Sequence, residues 1–222
     1  MVMLRAGRKS GVLVFISALL SALPYCQKGD GKEIFEDDFN STSFNSAWIV
    51  NEPAGSSFKP VTGEAHPDAG AANLGAMPSL IYREKVSGNF RVGARFSISG
   101  GYFTGRGYLI GRAQASDSPQ RSYLCGYYYD SFWAKNYFML GRFDTGQLVD
   151  LSVKPMHNLS AGISDMIYLS FDGSKIQCEI SGHSAIVLTA TDGNYADGFI
   201  GFTGGGLNAN YLYFDNFRAE KL

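Results

Sequence analysis

Charge is scarce in this chain. Only 18% of its 222 residues are Asp, Glu, Lys or Arg, and the formal net charge is −1. No basic stripe runs along it, which excludes nucleic acid as the main partner. Histidine is rarer still: His66, His157 and His183 are scattered, and no His-Glu-x-x-His pair exists. The three cysteines have no His or Cys at metal-ligand spacing, so the sequence carries no zinc signature. A Gly-x-Ser-x-Gly nucleophile elbow and a phosphate-cradling P-loop are absent as well. Beyond the first 25 residues no stretch keeps a long 3.6-residue hydrophobic period, and this excludes a helical bundle.

What the chain does have is glycine (27 residues), tyrosine (13) and phenylalanine (16), within a hydrophobic content of 45%. That mixture fits many strands joined by glycine-rich turns around a substantial core. Short apolar runs recur roughly every ten residues, the spacing of an all-β sandwich. The runs predict strands over Ile34–Phe39, Ser79–Tyr82, Phe90–Ser97, Gly107–Gln114, Ser122–Tyr129, Tyr137–Phe143, Gln147–Lys154, Met166–Asp172, Lys175–Ser181, Ser184–Thr191, Gly198–Thr203 and Tyr211–Ala219. In "FRVGARFSI" the residues Phe90, Val92, Ala94 and Phe96 share one face, and Asp172-Gly173 is a hairpin-favouring turn between two runs. Residues 52–78 show little periodicity and read as one long loop. Within it Glu64, His66 and Asp68 form a cluster able to hold a metal or run acid–base chemistry, although a polar loop explains them equally well.

The N-terminus reads as an address. "MVMLRAGRKS" is basic and "GVLVFISALLSALPY" is uncharged, the layout of a secretory signal over residues 1–25. Leu23 and Cys26 at its end resemble the lipobox of bacterial lipoproteins, with Tyr25 where a small residue is usual. The resemblance implies that Cys26 is lipidated and anchors the protein to a bacterial membrane, at the outer membrane or the cell surface, with a tether over residues 26–32. Simple secretion is the alternative. Loss of Arg5, Arg8 and Lys9 with the leader leaves 16 basic against 20 acidic residues, a net charge of −4. The two cysteines that remain, Cys125 and Cys178, lie in strand-like runs and are either bonded or two buried thiols.

The order of motifs carries a second resemblance. "FEDDFN", "SAWIV", "GNFRVGARFSI", "GYLIGRAQ", "IYLSFDGSKIQCEISG", "DGFIGFTGG" and "LYFDNFRAE" follow one another from residue 33 to the end. This resembles the concanavalin A-like lectin/glucanase superfamily, and within it the laminin-G-like and sugar-hydrolase-like domains of bacterial secreted proteins. The resemblance implies one domain over residues 33–222: an all-β, two-sheet antiparallel jelly-roll sandwich with its first and last strands paired. It implies glycan or cell-surface polysaccharide as the partner. It also implies a structural calcium where those strands meet, with Asp38 and Asp215 as its carboxylates, since hard cations take oxygen ligands. The glucanase signature Glu-x-Asp-x-x-Glu is missing: "EDDFNS" (Glu36 to Ser41) lacks the second Glu and stands on the wrong strand.

Recognition is expected in "RSYLCGYYYDSFWAKNYFML". Alternation puts Tyr123, Cys125, Tyr127 and Tyr129 on one face, and Leu124, Gly126 and Tyr128 on the other. Aromatic faces stack on the C–H faces of sugar rings. Tyr123, Tyr127, Tyr129 and Trp133 are therefore the expected platform. Arg112, placed as superfamily members place an Arg after the equivalent strand, is the expected hydrogen-bond donor to hydroxyls or carboxylates. The leading expectation is a non-catalytic glycan- or surface-binding lipoprotein. The alternatives are a hydrolase acting on modified sugars and a structural surface protein without a small ligand.

Overall fold

The computed structural model describes residues 32–61, 63–69, 77–98, 104–130, 136–156, 163–181, 186–207 and 212–222. Strands in chain order are β1 (Glu33–Asp37), β2 (Trp48–Asn51), β3 (Ser56–Val61), β4 (Glu64–Ala69), β5 (Ser79–Tyr82), β6 (Val86–Ser87), β7 (Phe90–Ile98), β8 (Thr104–Ala113), β9 (Ser122–Asp130), β10 (Tyr137–Asp144), β11 (Gln147–Pro155), β12 (Ile163–Asp172), β13 (Lys175–Ile180), β14 (Val187–Thr191), β15 (Asp197–Leu207) and β16 (Leu212–Lys221). They form two antiparallel sheets packed face to face. The first runs β14-β13-β12-β7-β16-β4-β3, with β1 added on β16; the second runs β11-β10-β9-β8-β15-β5-β2, with β6 added on β15.

The alternation of β7 explains the packing. Phe90, Val92, Ala94 and Phe96 point between the sheets and are buried, while Arg91 and Arg95 point away. Aromatic rings fill most of the interior: Phe202 of β15 stacks on Phe214 of β16 with centroids 4.5 Å apart, and Trp48 meets Phe217 edge-on at 4.9 Å.

The chain ends do pair, β1 lying antiparallel to β16 with Asp37 opposite Phe217. The strand stops at Asp37 because the next turn needs Phe39 at φ 52°, a left-handed conformation that Asp37 supports. One Asp37 oxygen accepts the Phe39 N–H at 2.8 Å and the other accepts the Trp48 indole N–H at 2.8 Å. Phe39 is then driven into the core between the sheets. Trp48–Asn51 itself crosses to the second sheet, where it pairs with β5.

The long loop expected over residues 52–78 holds a hairpin instead, β3 with β4. Its signature is hidden by Pro60 and by Gly63 at φ 84°, yet Phe58 and Ala65 still supply the buried positions. Cys125 of β9 and Cys178 of β13 form a disulfide that ties one sheet to the other, with Cα atoms 5.6 Å apart.

Candidate functional site

Strand β9 alternates as expected, but its aromatic odd face is the core face. Tyr123 and Tyr127 are both 0% exposed. The Tyr127 ring packs against Phe96 and Phe138, with centroids 5.0 and 5.1 Å away. Its hydroxyl donates to Asp165 Oδ2 at 3.0 Å, and that of Tyr123 donates to Asp192 Oδ1 at 2.7 Å. Burial, reinforced by those carboxylates, pushes both phenols well above their ordinary range. Neither ring offers a face to a ligand.

Arg112 is likewise interior, at 2% exposed. Its guanidinium donates to the backbone carbonyls of Gly173 (2.9 Å), Tyr195 (3.1 Å) and Gly88 (3.3 Å), and it lies 4.4 Å from the Phe171 ring centroid. Burial lowers its pKa. It fastens three chain segments at one end of the sandwich rather than reaching for a sugar. The Tyr129 side chain, Trp133 and Cys26 lie outside the described residues.

On the other face of β9 Leu124 is buried, while Tyr128 is half-buried and reaches solvent. Arg106 of β8, Tyr128 of β9 and Tyr137 of β10 stand opposite one another across three strands. Tyr128 and Tyr137 are stacked, with centroids 6.1 Å apart and planes 26° apart, and the Arg106 guanidinium lies 5.0 Å from the Tyr128 centroid. The next row along is Tyr108, Gly126, Met139 and Val153. Gly126 contributes no side chain there, because a Cβ would come within 2.0 Å of the Gly107 carbonyl oxygen on β8. These rows line a groove of about 350 Å3 with a floor of Tyr108, Met139 and Leu148 and with Asp150 and Val153 at its rim.

A second apolar cluster, including Ile81, Ile110, Leu124 and Phe143, continues the same outer face beside Tyr108 and Met139 and holds the groove's floor in place. Burial raises the Tyr108 phenol far above its ordinary value; Arg106 opposes this and Asp150 adds to it. Stacked rings with one guanidinium and one carboxylate suit a ligand that has both C–H faces and hydroxyls. Tyr128 and Tyr137 lie in the stretch expected to carry recognition but outside the expected platform, and Arg106 and Asp150 were not singled out from sequence. The available signal was the alternation that separates Tyr128 from Tyr127.

Asp38 and Asp215 come near one another at the β1–β16 junction. Burial raises the Asp215 carboxyl; the Asn216 N–H and Arg95 oppose this, while Glu64 and Asp38 add to it. Each carboxylate also accepts hydrogen bonds from an asparagine: Asp38 from Asn40 (3.3 and 2.5 Å), Asp215 from Asn216 (2.6 and 3.0 Å). Among the described residues no group of three or more His, Cys, Asp or Glu side chains is disposed to hold a metal ion. Glu64, His66 and Asp68 lie on strand β4 rather than in a loop, opposite Val61, Lys59 and Ser57 of β3. The side chains of His66 and Asp68 are outside the described residues.

No family model matches the sequence, and no curated protein matches it. Solved structures do. The carbohydrate binding module CBM66 from Bacillus subtilis is 13% identical, with a TM-score of 0.60 over 79% of this chain and 96% of that one. The likeness shows the fold, a two-sheet antiparallel jelly-roll sandwich. A Bacillus subtilis protein of unknown function with a galectin-like fold is also 13% identical, with a TM-score of 0.61 over 86% of this chain and 96% of that one. A GH43 protein from Bacillus licheniformis matches over 84% of this chain but only 39% of its own length, at 16% identity and a TM-score of 0.63.

Proposed function

We propose that this chain is the carbohydrate-binding domain of an exported bacterial lipoprotein, and that it holds glycan in the Tyr128–Tyr137 groove without catalysis. The observation that carries the reading is a half-buried aromatic stack on the outer sheet face, flanked by Arg106 and floored by apolar side chains. Core packing does not need such a stack, and a sugar ring uses one directly. The neighbour named a carbohydrate binding module supports the ligand class. The missing Glu-x-Asp-x-x-Glu strand supports binding over hydrolysis.

Sugars offer little apolar area, so binding depends on a few stacked rings and directed hydrogen bonds. Screening the protein on a glycan array, then repeating the screen with Tyr128→Ala and Arg106→Ala, tests the site. Binding by the wild type that both variants lose supports it. A wild type that binds no glycan, or variants that bind unchanged, overturns it.

Anchoring through lipidated Cys26 belongs to the same reading and rests on the lipobox-like leader. Metabolic labelling with a clickable fatty acid marks the wild type and not Cys26→Ser if it holds. Calcium between Asp38 and Asp215 is the last part of the proposal. Its support is the Asp215 carboxyl, raised first by burial and further by the nearby Glu64 and Asp38 charges, the part that a bound cation relieves.

A further inference from the structure

A larger cavity, about 740 Å3, opens on the other side of the molecule, between the 38–47 segment and the outer face of the first sheet. Its walls are held in place by the fold. The two hydrogen bonds accepted by Asp37 fix where the 38–47 segment leaves β1. Asn45 Oδ1 accepts the Ala47 N–H at 2.9 Å and fixes where it returns. Phe44 lines the cavity half-buried, edge-on to Phe39 at 6.2 Å and to Phe58 at 6.1 Å, so the core sets its orientation. Arg218 stands opposite Glu36 across β16 and β1. Its guanidinium donates to the Tyr168 hydroxyl and lies 5.1 Å from that ring. The Tyr168 ring lies over Gly93, where a Cβ would come within 2.5 Å of it.

The lining selects a ligand class. Asp37 bonds to the Phe39 N–H and the Trp48 indole, and Asp38 bonds to Asn40; Glu36, Arg95 and Arg218 line the cavity beside them. Three carboxylates against two guanidinium groups leave the lining slightly acidic, so an anionic ligand gains nothing overall. Hydroxyl groups both donate and accept, and so satisfy carboxylate, guanidinium and the Asn45 amide together. Phe44 supplies a ring for an apolar face. The volume lies within the roughly 300–1,000 Å3 of small-ligand sites.

We propose that this cavity is a second saccharide site, specific for uncharged sugar rings and separate from the Tyr128 groove on the opposite sheet. One domain then carries two sugar sites facing different directions, the geometry for engaging two chains of a polysaccharide at once. The inference rests on the cavity's own lining and stands whether or not the Tyr128 groove binds glycan.

The test titrates the 15N-labelled full chain, Cys26→Ser, with neutral methyl glycosides (glucoside, galactoside, mannoside, xyloside, fructoside) and with methyl uronides. Amide shifts report where each probe binds. At least one neutral glycoside is expected to move the amides of Glu36, Asn45, Arg95 and Arg218 saturably. Affinity there is expected to fall about tenfold in Arg218→Gln and Phe44→Leu and to be unchanged in Tyr128→Ala. Melting temperatures of the variants separate lost binding from lost folding, and Glu36→Gln, on the exposed face of β1, supplies a variant that leaves the core untouched. Three results overturn the inference: no saturable shift at these amides with any neutral glycoside, tighter binding of a uronide than of its neutral counterpart, or shifts confined to Tyr128 and Tyr137. The last of these leaves the groove reading intact, and loss of the groove signal alone leaves this one intact.

Discussion

Tyr127 and Tyr128 are neighbours in sequence and opposites in structure, so replacing each by alanine separates core from site. Tyr127 is fully buried between Phe96 and Phe138, and its hydroxyl bonds to Asp165. Deleting a buried aromatic side chain costs about 3–5 kcal/mol, the lost transfer energy plus the cavity left behind. For a domain of this size that lowers the melting temperature by roughly 6–20 °C, at about 2–4 °C per kcal/mol. Tyr127→Phe keeps the ring and loses only the hydrogen bond, and is expected to cost about 1 kcal/mol. Tyr128 is half-buried on the outer face, so Tyr128→Ala leaves the core intact and changes strand propensity by less than about 1 kcal/mol. Its cost falls on binding: losing one stacked ring, about 1–3 kcal/mol, weakens a glycan complex about 5- to 150-fold. Differential scanning calorimetry and isothermal titration with a glycan identified on the array read the two effects. The reasoning fails if Tyr127→Ala melts with the wild type, or if Tyr128→Ala loses stability to the same degree while holding glycan as tightly as before.

Three further outcomes are expected. Removing the Cys125–Cys178 bond as a double Ser variant releases a loop closed across 53 residues, worth about 4 kcal/mol in chain entropy, and a urea melt should show a drop of that order. Asp192 sets an acid limit: burial alone would raise its carboxyl, but hydrogen bonds from Asn194 and the Tyr123 hydroxyl, with the Arg142 charge, hold it below the ordinary value. Its stabilisation is therefore complete above the unfolded carboxylate value and is lost as pH falls through the lower folded value, so Asp192→Asn should flatten the stability profile below about pH 4. Asp215 has the opposite sign: a raised folded value favours the fold only at low pH, and the ionised group weakens it at neutral pH. In chelator, Asp215→Asn should melt above the wild type; added calcium should raise the wild type alone, by about 2.7 kcal/mol at a hundred times Kd. No response of the wild type to calcium rejects that site.

Much of the architecture was legible because strand pairing follows local patterns. The alternation of Phe90 to Phe96, the Asp172-Gly173 turn and the matching Phe-bearing ends all lead to contacts that the structure contains. The β3–β4 hairpin was not legible, because Pro60 and Gly63 look like loop residues until Phe58 and Ala65 are seen to be buried on one side. The aromatic site failed for a different reason. Period-2 alternation sorts Tyr123, Cys125 and Tyr127 from Leu124 and Tyr128 but does not say which set faces the other sheet. Hydrophobicity does not break the tie, since the second sheet is apolar on both faces: Tyr108, Leu124 and Met139 are buried on the outer one.

The disulfide breaks it. A bond between β9 and β13 joins different sheets, so both sulfurs must point inward, and Tyr123 and Tyr127, two positions either side of Cys125, point inward with it. Tyr123 and Tyr127 are thereby committed to the core, and among the described side chains of that strand Tyr128 is the ring left on the outer face. The same step identifies Cys178 with the inward face of β13, where Ile176 and Ile180 are also buried. A pair of cysteines too far apart in sequence to reveal their pairing thus held the one piece of information that assigns the aromatic face. The bond therefore marks Tyr123 and Tyr127 as core and leaves Tyr128 on the outer face.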